Sequence, residues 1–378
     1  THLLGVTVNP LKSRLHLLFL QLSYPFLLLA PKIIEKRVRQ CQYSALPWRL
    51  NSMGVCDPRP FLKWAGGKGQ LLSEFETRLP QAVREGRVST YVEPFVGGGA
   101  VYFHITSKYA FEDCHIFDIN EDLILAYMVV RNDVDDLIEM LGDLETTYLN
   151  LDAEKRHEFY YTVRRDYNEQ RPSIQLNNYS KAWIQRAAAL IFLNRTCFNG
   201  LFRVNSEGSF NVPFGRYRNP KILHEELLRS DSALLENTVI HHGDFSSSAP
   251  YIDDDTFVYF DPPYRPLNRS SSFNSYSREG FGDDEQRRLA AFFSDMDARG
   301  ARLMLSNSDP KNQDPSDNFF DELYAGYCIE RVPARRMINS NGDRRGVIDE
   351  IIITNYRPGF TDRLPSTFNF EPAPSLEP

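Results

Sequence analysis

Five short apolar runs, separated by helical or irregular stretches, constrain the fold of this chain more than any other feature. They are rich in β-branched and aromatic residues, the composition of buried strands. The runs cover residues 89–95, 114–119, 256–260, 302–306 and 350–356. Residues 120–145 show helical apolar spacing, and residues 181–194 have a helical composition. Strands that alternate with helices predict an α/β fold with a mostly parallel sheet.

The middle of the chain breaks this alternation. We expect residues 150–237 to form an inserted, mainly helical domain, and residues 53–149 and 238–357 to form the α/β domain around it. Within the insertion, residues 198–217 are rich in Asn, Gly and aromatic residues. A Ser-Glu-Gly turn between two β-prone runs predicts a β-hairpin there. A chain of 378 residues has room for two such domains.

The two ends of the chain differ from the rest. An apolar run at residues 17–30 follows Lys12 and Arg14, the charge order of a signal peptide, but the run is too short for a membrane helix. We expect residues 1–52 to be an upstream extension that is dispensable for function. Residues 358–378 contain Pro and Ser and are expected to form a loose tail.

Cysteine usage and charge narrow the class of protein. The five cysteines are scattered without a CxxC pair, which argues against a disulfide scaffold or a zinc ribbon and favours a reducing compartment. The formal net charge is −7, yet residues 155–221 contain twelve Lys and Arg against four Asp and Glu. A solvated helical face would also show such a run, but local positive charge in an acidic protein favours contact with nucleic-acid phosphates.

A glycine-rich turn follows the first predicted strand. Residues 93–99 read Glu-Pro-Phe-Val-Gly-Gly-Gly, and an acidic residue, Asp118, ends the next predicted strand. Glycines let a ligand approach the backbone closely, and a carboxylate at this spacing can accept hydrogen bonds from ribose hydroxyls. A tight turn near an ordinary surface aspartate would look similar, but the combination favours a nucleoside site.

Two more motifs flank this turn in the sequence. Residues 63–68 read Lys-Trp-Ala-Gly-Gly-Lys, which fails the Walker template and suits either an anionic ligand or a solvated loop with a packed tryptophan. Residues 261–264 read Asp-Pro-Pro-Tyr directly after an apolar strand. Because proline lacks an N–H, the aspartate and a backbone carbonyl are left to accept both hydrogens of an exocyclic amine, and the tyrosine can stack on the base. A proline turn with a helix-capping aspartate is the structural alternative.

Together these motifs resemble the Dam-type family of DNA adenine-N6 methyltransferases. The matching blocks, in the order of that family, are residues 63–68, 93–101, 118–120, 194–217, 243–245 and 261–264. The stretch 335–346 is similar to that of GATC-modifying members attached to restriction systems. The resemblance covers about residues 59–357. It implies a Rossmann-like, S-adenosylmethionine-dependent methyltransferase sheet with an inserted DNA-recognition domain that carries a β-hairpin.

The resemblance implies a site-specific DNA methyltransferase that moves a methyl group from S-adenosylmethionine to N6 of a flipped-out adenine in double-stranded DNA, at GATC. Catalysis would rest on Asp261, Pro262 and Tyr264, without a metal. The residues that would contact the cofactor are Trp64, Lys68, Phe95, Gly97, Gly99, Asp118, Asp244, Phe245 and Asp261.

The family pattern also implies contacts with DNA. Lys63 and Arg203 would contact base edges, since bidentate Arg to guanine is the commonest specific contact. Leu201 and Pro213 would pack against a thymine methyl group, and Phe198 would fill the gap in the base stack. The remaining DNA-binding candidates are Asn199 and, as phosphate contacts, Arg216, Arg335 and Arg336.

The resemblance implies double-stranded DNA as a partner and a cognate restriction endonuclease in the same system, without a stable complex between the two enzymes. It implies no membrane partner and a cytoplasmic location, in a protein of prokaryotic or phage-encoded type. Two alternatives stay open. One is a methyltransferase that acts on RNA or on a protein amide nitrogen, although related enzymes of that kind usually have Asn-Pro-Pro-Tyr in place of Asp261-Pro-Pro-Tyr. The other is a DNA-binding protein that has lost catalysis.

Overall fold

A seven-stranded sheet organises the part of the chain that the computed structural model describes, which is residues 56–170, 176, 178–265, 281–335 and 347–358. Its strands are β1 (Thr90–Glu93), β2 (Asp113–Asp118), β3 (Thr238–His242), β4 (Thr256–Phe260), β5 (Arg302–Ser308), β6 (Cys328–Arg335) and β7 (Val347–Thr354). Their order across the sheet is β3-β2-β1-β4-β5-β7-β6. Among these strands, β7 alone runs antiparallel to its neighbours, and all other adjacent strands are parallel. The predicted α/β fold with a mostly parallel sheet is therefore confirmed.

Helices cover both faces of the sheet. They are α1 (Leu72–Arg78), α2 (Gln81–Arg84), α3 (Ala100–Thr106), α4 (Glu121–Asn132), α5 (Val134–Leu149), α6 (Ala153–Gln170), α7 (Trp183–Thr196), α8 (Glu225–Leu235), α9 (Asp283–Ala298) and α10 (Phe319–Leu323). Among the described residues, none of these helices has the length and apolar character needed to cross a membrane.

The central strand β4 shows why the chain folds around this sheet. All five of its residues are buried, as expected for a parallel strand covered on both faces. Side chains alternate between the two faces, so Phe257 and Tyr259 join one apolar cluster while Val258 and Phe260 join the other. A polar chain segment at this position would leave both layers of helices without a core.

The sequence predicted five of the seven strands and missed two. β3 and β6 are edge strands with polar residues such as His241, His242 and Glu330, which obscure an apolar run. The single helix expected over residues 120–145 is divided in two at Asp133, whose φ of −139° and ψ of 48° are not helical. Its carboxylate accepts a hydrogen bond from the Tyr179 hydroxyl at 2.5 Å, a contact that local spacing does not reveal.

Helix α7 forms the centre of the predicted insertion, and nearly all of its residues are buried. It packs against α4, α5 and α6, and its apolar residues belong to the same cluster as one face of the sheet. The core therefore continues across the boundary expected near residue 150. The division into a 150–237 recognition domain and an α/β domain stays a prediction, and the expectations for residues 1–52 and for the tail beyond 358 lie outside the described residues.

The predicted hairpin at 198–217 is an open one. Two antiparallel bridges, Val204 with Phe210 and Cys197 with Phe214, hold its strands in place of a continuous ladder. Asn205 closes the turn because its carbonyl accepts from the N–H of Gly208, which has a φ of +80°. This segment is therefore an irregular hairpin with few backbone bridges between its two arms.

Gly99 fixes the turn between β1 and α3. Its φ is +76°, in the left-handed region that favours glycine, and its N–H donates to the carbonyl of Val96. A Cβ at this position would overlap the hydroxyl of Tyr127 and lie 3.0 Å from the ring of Phe103. The glycine is thus required by the backbone and by the packing below it.

Replacing Gly99 by alanine should lower the free energy of unfolding by about 1–3 kcal/mol, since a strained left-handed residue costs that much. Gly69→Ala is the matched control, because nothing lies within 4 Å of a Cβ there and Gly69 does not have a left-handed φ. Urea denaturation of both variants measures the difference. Equal midpoints for the two variants would contradict this account of the turn.

Candidate active site

The site lies where the order of the strands reverses. β1 and β4 are parallel neighbours at the middle of the sheet. From β1 the chain continues to β2 on one side of this pair, whereas from β4 it continues to β5 on the other side. A crevice forms outside the carboxyl ends of strands at such a point, and ligands bind there in open α/β sheets. The glycine turn follows β1 and the Asp-Pro-Pro-Tyr motif follows β4, so the fold brings together two motifs that are more than 160 residues apart.

Asp118, at the end of β2, braces the glycine turn. One carboxylate oxygen accepts the N–H of Gly97 at 3.0 Å, and the other accepts the N–H of Asn120 at 2.8 Å. Burial raises the pKa of Asp118 above its ordinary value, and these hydrogen bonds oppose the rise. Each oxygen has a second lone pair, so the carboxylate can still accept from a hydroxyl. The predicted ribose contact remains a prediction on this geometry.

Trp64 lies against the other side of the glycine turn. A Cβ at Gly97 would be 3.1 Å from Trp64 Cδ1, and a Cβ at Gly98 would be 3.0 Å from Trp64 Cβ. The indole also stacks on Phe202 of the hairpin, with ring centroids 5.1 Å apart. Trp64 thereby joins the glycine turn to the segment that was predicted to contact DNA.

A buried ion pair lies at the centre of the site. The ammonium of Lys68, whose side chain is 3% exposed, binds Oδ1 of Asp261 and also donates to the carbonyl of Gly66 at 3.4 Å. Burial alone would lower the pKa of Lys68, but the charge and hydrogen bond of Asp261, together with the charges of Tyr264 and Glu350, outweigh burial and raise that pKa above its ordinary value. The sequence predicted a cofactor contact for Lys68; in the structure its charge is directed at the Asp-Pro-Pro-Tyr motif.

Asp261 is held from several directions. Burial raises the pKa of its carboxyl above the ordinary value, while the Lys68 ammonium and a hydrogen bond with Ser306 oppose that rise. The Ser306 hydroxyl is in turn 2.7 Å from the hydroxyl of Tyr259. On the following loop, the amide of Gln286 donates to the carbonyl of Pro263 at 3.1 Å. The motif is therefore fixed by buried polar groups rather than by its prolines alone.

Tyr264 and Glu350 form a contact that sequence reasoning missed. The Tyr264 ring is 40% exposed, with the Lys68 ammonium 4.6 Å from its centroid, and its hydroxyl donates to Glu350 Oε1 at 2.6 Å. Glu350 is buried on β7. The residue opens an apolar run in the sequence, and nothing local distinguishes it from an ordinary strand-end carboxylate.

Glu93 is a second buried carboxyl group at this edge of the sheet. It accepts a hydrogen bond from the Tyr91 hydroxyl at 2.6 Å. Burial, with the charge of Asp261 adding to it, raises the pKa of Glu93 well above its ordinary value. Burial therefore disfavours a second charge next to Asp261.

Glu93→Gln should become more stable relative to the wild type as pH rises from about 5 to 8. The folded wild type holds this proton more tightly than the unfolded chain, so its stability falls with rising pH by up to about 1.4 kcal/mol per pH unit. Glutamine does not titrate, so the variant lacks this fall in stability with rising pH. Urea denaturation across this pH range measures the difference, with the exposed Glu226→Gln as control. Parallel curves for the wild type and Glu93→Gln would contradict the raised pKa of Glu93.

Asp244 and Phe245 lie at the start of a short 3-10 turn, Phe245–Tyr251. Burial opposes ionisation of Asp244, but the paired guanidinium of Arg288, at 2.7 and 2.9 Å, and the bonds from Ser246 lower its pKa to about 2. Phe245 is buried against Phe95, with ring centroids 5.4 Å apart. Both predicted cofactor contacts follow the carboxyl end of β3, and the Phe245 ring is part of the core.

A close approach of two loops brings Lys63 beside the hairpin, which carries most of the residues predicted to contact DNA. A Cβ at Gly200 would overlap the side chain of Lys63, so the Lys63 loop rests on the hairpin. The side chains of Phe198 and Arg203 are exposed, and Arg203 Nε donates to Asn211 Oδ1 at 2.7 Å. The other exposed positions of this group are Asn199, Pro213 and Arg216, while Leu201 is half-buried. Arg335 ends β6, and Arg336 lies outside the described residues.

A basic cavity of about 320 Å³ opens beside Lys63. Its lining residues are Lys63, Arg195, Tyr217, Arg218, Asn219, Pro220, Lys221 and His224. Burial, reinforced by Arg195, lowers the pKa of His224 to about 4, so the positive charge comes from the four Lys and Arg side chains. The charge count of the sequence included three of these residues without singling them out, because their convergence depends on the fold.

Known proteins share this chain's motifs over most of its length. A profile of the family described as D12 class N6 adenine-specific DNA methyltransferase matches residues 64–338. The type II methyltransferase M.MjaIII of Methanocaldococcus jannaschii is 54% identical over 299 residues, which cover 79% of this chain and 99% of that protein.

Two further relatives are similar at lower identity. The type II methyltransferase M1.LlaDCHI of Lactococcus lactis subsp. cremoris is 39% identical over 300 residues, covering 79% of this chain and 95% of that protein. The DNA adenine methylase of Escherichia coli K12 is 33% identical over 302 residues, covering 80% of this chain and 96% of that protein.

Proposed function

Because the chain belongs to the D12 class of N6 adenine-specific DNA methyltransferases, we propose that it transfers a methyl group from S-adenosylmethionine to N6 of an adenine in double-stranded DNA. One observation carries the proposal: Asp261, held by buried Lys68, follows β4 directly beside the glycine turn that follows β1. Two relatives named type II methyltransferases favour action beside a cognate restriction endonuclease.

The glycine turn and Asp118 suit the cofactor. A Cβ at Gly97 or Gly98 would press against Trp64, so the glycines keep the turn in close contact with the indole, and Asp118 retains lone pairs for ribose hydroxyls. We expect Phe95, Gly97 and Gly99 to lie beneath the cofactor, with Asp244 and Phe245 near its adenine. When bound, S-adenosylmethionine supplies an electrophilic sulfonium methyl group.

Asp261 has the chemistry to orient the acceptor amine. An ionised carboxylate only accepts hydrogen bonds, which is what an N–H donor requires. The Lys68 ammonium opposes the effect of burial on the pKa of Asp261 and occupies Oδ1, so we expect Oδ2 and the Pro262 carbonyl to receive the two N6 hydrogens. Both acceptors draw the N6 amine toward tetrahedral geometry, which localises its lone pair on the nitrogen. Holding this nitrogen in line with the methyl group lowers the barrier by up to about 7–11 kcal/mol in favourable cases.

The target adenine must leave the duplex to reach this crevice. Its N6 is engaged in base pairing, and extrusion costs a few kcal/mol, which contacts outside the stack must offset. Tyr264 presents one ring face to Lys68, so the opposite face is the one on which we expect the base to stack. We expect Phe198, 51% exposed on the hairpin, to fill the vacated space.

For recognition we propose GATC, with Lys63 and Arg203 contacting base edges and Leu201 and Pro213 contacting a thymine methyl group. The basic cavity beside Lys63 supports a DNA backbone running past this surface, since phosphates bind where cations converge. Arg216, whose backbone has a φ of +55° at the end of the hairpin, is expected to contact phosphate together with Arg335 and Arg336.

Asp261→Ala should reduce methyl transfer by about 10²-fold or more, as does loss of one preorganised transition-state contact elsewhere. Asp254→Ala, at an exposed position near the other end of the same strand, is the matched control and should keep wild-type activity. Incorporation of labelled methyl groups into unmethylated DNA measures both. Turnover like that of the wild type in Asp261→Ala would remove the catalytic assignment.

Arg203→Ala should relax discrimination at one base pair and weaken specific binding by about 1–3 kcal/mol, as expected for a lost contact with a guanine edge. Arg216→Ala should instead weaken binding to every sequence alike and lower the salt slope by about one unit. Methylation of GATC and its single-base variants at two salt concentrations separates the two effects. If Arg203→Ala slows all sites equally, the hairpin is a backbone clamp rather than a reader of sequence.

A further inference from the structure

Glu350 is the carboxylate nearest to the motif that neither the sequence pattern nor the proposed chemistry uses. It is 4% exposed, and one oxygen accepts the Tyr264 hydroxyl while the other has no hydrogen-bond partner among the described residues. Its strand is paired on both sides, opposite Ser308 of β5 and Val332 of β6. The acceptor therefore stands on a rigid support rather than on a loop.

We propose that Glu350 is a positioning residue of the target-base site, acting through the hydroxyl of Tyr264. The proposal rests on the proposed function, in which the flipped base stacks on the Tyr264 ring. Two contacts define the ring: the Lys68 ammonium over its centroid and the Glu350 carboxylate at its hydroxyl. The first limits the ring from one face, and the second fixes its tip, so that the stacking plane is set before the base arrives.

The electrostatic surroundings suit this role. Burial raises the pKa of Tyr264, which keeps its hydroxyl protonated and able to donate. Burial also raises the pKa of Glu350, while the nearby Lys68 charge and the Tyr264 hydrogen bond oppose the rise. Lys68 thus faces both Asp261 and Glu350, and the two carboxyl groups share one compensating cation in place of separate partners.

A carboxylate is a costly way to stabilise a strand interior, because a buried charge requires partners that an apolar residue does not. The neighbouring Ile351, Ile352 and Ile353 show what β7 uses where only packing is needed. Glu350 departs from this pattern at the position that meets the motif.

The test compares Tyr264→Phe, Glu350→Leu, Glu350→Gln and the double variant Tyr264→Phe/Glu350→Leu. Either single loss of the hydrogen bond should lower kcat by roughly 10-fold or more, since a misplaced group can cost up to about 10². The double variant should be no slower than the slower single variant, because both remove the same contact. Glu350→Gln should retain most of kcat, as an amide oxygen still accepts from the hydroxyl.

A positioning role and a merely structural role predict different outcomes. If Glu350 positions Tyr264, its loss leaves the KM for S-adenosylmethionine and the melting temperature near those of the wild type and alters the fluorescence of DNA with 2-aminopurine at the target position. If Glu350 is merely structural, its loss lowers the melting temperature instead. Glu330→Leu on β6, whose carboxylate binds Arg78, is the matched control and should match the wild type in kcat and fluorescence.

Failure of the inference is distinguishable from failure of the proposed function. If the wild type does not methylate adenine in DNA, the proposed function fails. If it does, and Tyr264→Phe or Glu350→Leu keeps wild-type kcat, or their effects multiply in the double variant, Glu350 does not act through Tyr264. Tyr264→Phe decides alone if Glu350→Leu does not fold, since it removes one hydroxyl and keeps the ring.

Discussion

The ion pair between Lys68 and Asp261 is the interaction on which the rest of the site depends. Both groups are taken largely out of water, and neither charge is tolerable without the other. The pair also links two distant parts of the chain, since Lys68 precedes the first helix and Asp261 follows the fourth strand. It keeps the aspartate an acceptor, and the same ammonium lies over the Tyr264 ring and faces Glu350.

The sheet explains why these groups meet. With β1 and β4 adjacent at the reversal of strand order, one crevice receives the glycine turn from one side and the Asp-Pro-Pro-Tyr loop from the other. Trp64 then joins this crevice to the hairpin by stacking on Phe202, so the hairpin predicted to contact DNA lies next to the crevice.

Sequence reasoning found what is local. The glycine turn, Asp118 and the Asp-Pro-Pro-Tyr motif each carry a signature within a few residues, and parallel strands place such strand-end motifs together. The resemblance implied a cofactor contact for Lys68, whereas its ion pair with Asp261, 193 residues away, is set by tertiary structure and has no local signal. Glu350 had no signature in an apolar strand, and Asp133, where the helix breaks, accepts a hydrogen bond from Tyr179, which lies beyond the next two helices. The cations of the basic cavity were visible only as a charge count.

The identity of the methylated nucleoside tests the central claim most directly. Wild-type protein is incubated with unmethylated duplex DNA and S-adenosylmethionine carrying an isotopically labelled methyl group, and the DNA is digested to nucleosides for mass spectrometry. A site built on Asp261 and Tyr264 to hold an adenine amine predicts labelled N6-methyladenine as the product. Label in methylcytosine, in RNA or in protein, with none in adenine of DNA, would contradict it.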